Sequence, residues 1–177
     1  MSILADLKAK ARWLYQCDTA AAVVKVCLTD GTFAMVCYRW MQSSQRLKLS
    51  PLTMVFNKLN VWFGQCIIGR GAQFGERFVL IHSQGVVING AVRGGDDVMI
   101  EHQVTIGAEG RQAPQLGSRI FIGTGAKIIG AVTIGDDVKI GANAVVTKDL
   151  PDGATAVGIP AKVIKIFGER VTEKTGG

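Results

Sequence analysis

The chain holds two histidines, His82 and His102, and their placement is the first sign of chemistry. Each follows an aliphatic residue by two places, Leu80 and Ile100 respectively, and they stand twenty residues apart. A neutral imidazole can take the proton from an attacking hydroxyl, so a pair held side by side would make a general-base site. Metal binding is the other chemistry open to two imidazoles. Two histidines without a nearby third ligand make a weak site, and Cys17, Cys27, Cys37 and Cys66 form no CxxC pair, so no metal is expected.

A six-residue beat can hold such residues side by side. Apolar residues recur at Ile68, Phe74, Leu80, Ile88, Ile100, Ile106, Leu116, Ile122, Ile128, Ile134, Ile140 and Val146, and a small or β-branched residue such as Ala72, Val92, Val104 or Ala126 follows four places on. A helix repeats at three and four and a strand at two, so neither sustains a six. A hexapeptide repeat does: three units make one triangular coil of a parallel β-helix, with the aliphatic residues stacked inward. The beat stretches to eight between Leu80 and Ile88 and to ten between Ile106 and Leu116. Extra residues are tolerated at corners, where they bulge outward as loops. His82 lies in the first irregularity and His102 just before the second. Twenty residues is one coil plus that two-residue insertion, so both histidines are expected at one corner of successive coils, about 5 Å apart.

Over residues 2–63 the beat is absent and helical spacing takes over. Leu4, Leu7, Ala11 and Leu14 mark one apolar face, and Phe33, Val36, Cys37, Trp40 and Met41 another. Thr29-Asp30-Gly31 reads as a turn and Ser50-Pro51 as a helix start. The expected organisation is an α-helical cap over 1–63, a β-helix over 64–166 and a C-terminal tail over 167–177. Three or four helices would cover the open end of the β-helix, which otherwise exposes unpaired backbone.

Composition bounds the function classes. A hydrophobic content of 48% supports a continuous core. The net charge of +6 is scattered, which suits an anionic ligand such as a nucleotide phosphate but lacks the basic runs of a nucleic-acid binder. The cysteines read as small buried hydrophobes in a reducing compartment. Residues 1–10 lack a signal-peptide layout, and the apolar stretches 19–26 and 33–38 are too short to span a bilayer, so a cytoplasmic protein without an integral membrane segment is expected.

Residues 68–163 resemble the hexapeptide acyltransferases of left-handed parallel β-helix fold. The stretch Ile81-His82-Ser83-Gln84-Gly85-Val86-Val87-Ile88-Asn89 carries the likeness. So do His102-Gln103-Val104-Thr105-Ile106-Gly107, Ile122-Gly123-Thr124-Gly125-Ala126-Lys127, and the closing Val157-Gly158-Ile159-Pro160-Ala161-Lys162. Together they are similar to the serine O-acetyltransferase branch. The resemblance implies acetyl-CoA as co-substrate, His82 as the base, and a homotrimer with active sites between subunits. It also implies a cofactor groove at Gly107, Ala108, Gly123, Thr124, Gly141 and Ala142, with Lys148 and Lys162 available to the phosphates.

Three departures bear on the acceptor. Ile81 and Ile67 stand where that branch keeps carboxylates beside the catalytic His, and its Arg-His pair falls on Gln112-Ala113, with Arg111 one place early. Glu101 is a candidate replacement for an orienting carboxylate. Serine needs fixed counter-charges, whereas a sugar hydroxyl asks for hydrogen bonds, which Ser83, Gln84, Asn89, Gln103, Arg111 and Gln112 could supply. In this the chain looks more like the colanic-acid and exopolysaccharide O-acetyltransferases, which implies a saccharide acceptor and peripheral association with a polysaccharide assembly machinery. Serine O-acetyltransferase of cysteine biosynthesis and a non-catalytic trimeric β-helix scaffold are the alternatives.

Overall fold

The computed structural model describes residues 2–110 and 112–171. Four helices come first: α1 (Ile3–Tyr15), α2 (Ala20–Val26), α3 (Thr32–Arg46) and α4 (Ser50–Trp62). Local chemistry explains their starts. The side chains of Ser2 and Thr19 accept from the amides of Ala5 and Ala22, and Pro51 sits in the first turn of α4, where its missing N–H leaves nothing unpaired. Among the described residues no helix is long and apolar enough to cross a membrane.

The repeat then folds as stacked coils. The first holds β1 (Ile67–Ile68), β2 (Gln73–Phe74) and β3 (Val79–Leu80), and the second β4 (Val87–Ile88), β5 (Arg93–Gly94) and β6 (Val98–Ile100). The third holds β7 (Thr105–Gly107), β8 (Gln115–Leu116) and β9 (Ile120–Ile122), and the fourth β10 (Lys127–Ile129), β11 (Thr133–Ile134) and β12 (Lys139–Ile140). A fifth carries β13 (Val145–Val146), a bridge at Leu150 and β14 (Ala154–Val157), before the closing hairpin of β15 (Lys162–Ile166) and β16 (Glu169–Arg170). Equivalent strands pair in parallel to make three sheets, and the closing hairpin runs antiparallel to β14.

The beat is the register of this stack. Ile68 pairs with Ile88, Ile88 with Ile106, Ile106 with Ile128, and Ile128 with Val146, and all five side chains are buried. Where the beat falls silent, at Gly94, the ring of Phe74 fills the space: a Cβ on Gly94 would lie 2.4 Å from a ring carbon. A ladder of short polar side chains joins successive coils outside. Oδ1 of Asp96, Oγ of Ser118, Oδ1 of Asp136 and Oδ1 of Asp152 accept from the amides of Glu76, Asp96, Ser118 and Asp136 in turn. Beside it, Arg77 grips Asp97 and Arg119 grips Asp137, each through two nitrogens.

The helical cap meets the first coil through polar groups, and here the expected apolar faces are corrected. Leu4 and Leu14 are exposed, and α1 turns Asp6, Ala9, Lys10 and Ala11 inward instead. On α3, Cys37 and Met41 are buried as expected, but Phe33 and Trp40 are exposed and Ala34, Met35 and Tyr38 complete the inner face. Cys17 and Cys27, at helix ends, are exposed, while Cys37 and Cys66 are buried. The reason for the rotation is that the first coil presents unpaired backbone. Tyr38 Oη accepts from the Phe74 amide and donates to the Ala72 carbonyl. Arg39 donates to the carbonyls of Phe74 and Gly75 and forms a two-nitrogen pair with Asp6, whose Oδ1 also accepts from the Phe78 amide. Asn57 donates to the Ile68 carbonyl. Burial pushes the Asp6 carboxyl up from its ordinary range, against the pull of Arg39 and the Phe78 amide.

Removing one member of that pair leaves a buried charge and bare backbone. Arg39→Met is expected to destabilise the protein by about 3–5 kcal/mol, and thermal denaturation should show a melting temperature lower by roughly 10 °C. The double variant Asp6→Leu, Arg39→Met should not recover, because Phe78 N–H and the Phe74 and Gly75 carbonyls stay unpaired; full recovery would mean that the pair is replaceable packing.

Candidate active site

The corner joining β3 to β4 spans residues 81–86, and the equivalent corner between β6 and β7 spans 101–104, so the two-residue insertion falls where His82 sits. The rings of His82 and His102 stack corner over corner with centroids 5.9 Å apart and planes at 80°. Between this column and the helical cap lies a cavity of about 600 Å³. Its walls are the α2–α3 turn, Phe33 of α3, residues 63–65 after α4, and His82, Ser83, Gln84 and His102.

Each imidazole faces a carboxylate. Nδ1 of His82 is 3.4 Å from Asp30 Oδ2, and Nδ1 of His102 is 3.6 Å from Glu101 Oε2, although Glu101 is its neighbour in sequence. Catalytic hydrogen bonds are often this long before substrate arrives. A hydrogen bond from Nδ1 of His82 to Asp30 would place the ring proton on that nitrogen and leave Nε2 with the lone pair, whereas Nδ1 of His102 is buried without a hydrogen-bond partner. Both rings remain reachable, with side chains 49% and 38% exposed.

The turn that carries Asp30 is held from below. Gly31 adopts φ +74°, and a Cβ there would lie 2.6 Å from the Leu80 carbonyl oxygen and 3.2 Å from Lys10 Nζ. Lys10, wholly buried on α1, donates its ammonium to the Asp30 carbonyl. Burial pushes the Lys10 pKa down to about 8, partly opposed by the Asp30 charge.

The residues expected from sequence divide into two groups. Ser83 and Gln84 line the cavity with the histidines, and Gln103 stands on the same corner, its amide bonded to the Gln84 carbonyl. Gly123, Thr124, Gly141 and Ala142 continue this corner column along the stack, the amides of Gly125 and Asn143 bonding the carbonyls of His102 and Thr124. The amides of Gly123 and Gly141 are already donated to Ile140 and Ala156, and a Cβ on either would collide with the next coil at 2.7–2.8 Å. These two glycines therefore serve coil stacking and have no amide to offer a ligand.

The second group is elsewhere. Gly107 and Ala108 leave β7 toward β8, one corner further round, and the four-residue insertion falls in that loop rather than in the histidine column. Asn89 occupies the same second corner column, its Oδ1 accepting from the Ala91 amide, and Gln112 lines a separate depression with Ala91 and Thr133. A corner's facing is set by its place in the triangle, so nearness in sequence to His102 or Ile88 does not bring these residues to the cavity. Arg111 lies outside the described residues. Lys148 and Lys162 are exposed, the latter beside Val157 in the closing hairpin. Sequence reading missed Asp30, Gln65, Phe33 and Phe63; the Thr29-Asp30-Gly31 turn was visible, but nothing in it points fifty residues downstream.

Comparison with known proteins identifies the family and the fold. The family described as bacterial transferase hexapeptide (six repeats) matches residues 113–148. Serine acetyltransferase of Helicobacter pylori is 42% identical over 141 residues, 77% of this chain and 82% of that protein. The fold superposes on Neisseria gonorrhoeae serine acetyltransferase with a TM-score of 0.84 at 28% identity, over 96% of this chain, and that enzyme has also been solved in complex with serine. A serine acetyltransferase in complex with CoA matches at TM-score 0.81 and 27% identity, over 92% of this chain and 67% of that one. The chain spans 66% of the gonococcal structure's length.

Lys10 supplies a pH test of the joint beneath the cavity. Its folded pKa lies below its unfolded value of 10.5, so the cost of burying its charge is full below pH 8 and disappears by about pH 10.5. The stability of the wild type relative to Lys10→Met should therefore rise across that window, by on the order of 3 kcal/mol. Urea titrations at several pH values would measure it, and a flat difference would contradict the assignment.

Proposed function

Because this chain belongs to the serine acetyltransferase family, we propose that it transfers the acetyl group of acetyl-CoA to a hydroxyl acceptor, with His82 as general base and L-serine as the acceptor. The observation that carries the proposal is Asp30 at Nδ1 of an accessible His82, beside a second imidazole, on the wall of a cavity large enough for a small acceptor. The name of the relatives supports the acceptor.

In this reading Nε2 of His82 removes the hydroxyl proton as the oxygen attacks the thioester carbonyl. Asp30 holds the imidazolium that forms. The tetrahedral intermediate collapses, the C–S bond breaks, and the CoA thiolate recovers the proton from His82. His102 stands beside His82 on the same cavity wall, where its ring lines the acceptor's place. Thr124 and Ala142, further along the same edge, border the path of the pantetheine arm, with Lys162 toward its phosphates. A neighbouring subunit would close that groove, as a trimer of the fold allows. All four cysteines are free thiols, which suits a cytoplasmic setting.

A second reading rests on charge. Among the described residues the cavity wall includes Asp30 but no lysine or arginine, and serine presents a carboxylate as well as an ammonium. Asp30 suits the ammonium; the carboxylate needs a cation, for which Arg111 is the candidate in this chain. A neutral saccharide hydroxyl needs neither, and Ser83, Gln84 and Gln103 are placed to hydrogen-bond it.

Thiol release from acetyl-CoA decides between the two. With L-serine in one series and nucleotide sugars and oligosaccharides in another, serine-dependent turnover that falls in Arg111→Ala supports the first reading. Turnover with saccharide alone replaces it with the second. His82→Ala should lower kcat by at least about a hundredfold while leaving acetyl-CoA binding intact; wild-type turnover in that variant would refute the base assignment.

A further inference from the structure

Lysine is seldom wholly buried, since its ammonium must find compensation for lost water. At position 10 a methionine would fill the same space without that cost. Lys10 points at the carbonyl of Asp30, and it lies seventy-two residues before His82, on a helix that contributes nothing to the cavity wall. The Asp30–Gly31 turn is thus pinned on two sides, by Lys10 and by the Leu80 carbonyl of β3 against Gly31. That same strand leads, two residues later, into His82.

We propose that Lys10 is a positioning residue of the active site: by holding the Asp30 carbonyl against the first coil, its buried ammonium sets the Asp30 carboxylate at Nδ1 of His82. The inference rests on the reading of His82 as the base. Asp30's side chain is itself 83% exposed, so its wall of the cavity does not confine it, and only its backbone is anchored. A catalytic group that drifts by an ångström loses much of its effect. The anchor is charged, and it answers to few other groups. Asp30 faces it from the turn, β3 presents the Leu80 carbonyl and then His82, and on its own helix Asp6 is engaged by Arg39. Its depressed pKa fits a cation kept at this joint against the cost of burial.

The test is steady-state kinetics of the full chain with whichever acceptor supports thiol release. Lys10→Met and Asp30→Asn should each lower kcat about 10- to 100-fold with KM for acetyl-CoA within about twofold, and the double variant should be no slower than Asp30→Asn alone. The alkaline limb of the wild-type kcat profile, near the pH where Lys10 loses its proton, should be absent in Lys10→Met. A wild-type kcat in Lys10→Met, or losses that multiply in the double variant, overturns the proposal. If Lys10→Met does not fold, Gly31→Ala presses the turn off β3 from the other side: a kcat loss absent in the Asp30→Asn background supports the joint, and full kcat overturns it. His82→Ala is run in parallel. Undiminished turnover there would remove the base assignment itself, whereas an inactive His82→Ala beside a fully active Lys10→Met would remove only the role of Lys10.

Discussion

A parallel β-helix pairs each coil's backbone with the coil before and after it, so its first coil has one row of amides and carbonyls with nothing to bond. Every buried one left unpaired costs on the order of 1–3 kcal/mol. Here the row is met by side chains of the helical cap: Tyr38 at Ala72 and Phe74, Arg39 at Phe74 and Gly75, Asp6 at Phe78, and Asn57 at Ile68. An apolar helix face would bury area but leave those groups bare. This need explains why α1 and α3 turn an aspartate, an arginine and a tyrosine inward while Leu4, Trp40 and Phe33 face out.

That polar seam also fixes where the chemistry can be. Because Asp6 and Arg39 lock α1 and α3 in register on the first coil, the turn before α3 comes to lie over the corner that carries His82. The cavity is the gap between cap and corner, and it exists only at this end of the stack, where two kinds of structure meet. Further along, coil lies on coil, and Gly123 and Gly141 allow that approach. The outer ladder of Asp96, Ser118, Asp136 and Asp152 keeps the coils in step, so the corner column stays straight from the histidines to Ala142. The Ser118 amide and the Arg119 guanidinium hold the Asp136 carboxyl below its ordinary range, so this bonding persists at neutral pH.

The acceptor question turns on one element of chemistry. The family carries the name of serine, while Ile67 and Ile81 stand where the resemblance leads one to expect carboxylates. Asp30 answers part of that difference from an unexpected direction, contributing from the cap what the β-helix itself does not carry. A carboxylate delivered by a turn of the cap lies beside His82, while Ile81, one of those two β-helix positions, joins the buried core.

Sequence alone determined the solenoid, its coil boundaries and the pairing of His82 with His102. In a β-helix the neighbour in space is a fixed offset in sequence, so a period of six and an insertion of two translate directly into a corner. A cap of three or four helices and the Ser50-Pro51 start were legible from local rules, and the fold has four. Tertiary structure alone decided which face each helix buries, that Asp30 and Gln65 join the cavity, that Asn89, Gly107 and Gln112 leave it, and that Lys10 lies beneath it. The cap contacts join segments dozens of residues apart with no repeat between them, and the helix faces are settled by the hydrogen-bonding demand of the first coil, which appears only once the chain has closed into that coil. The three β-helix residues leave the cavity because their corner of the triangle faces elsewhere.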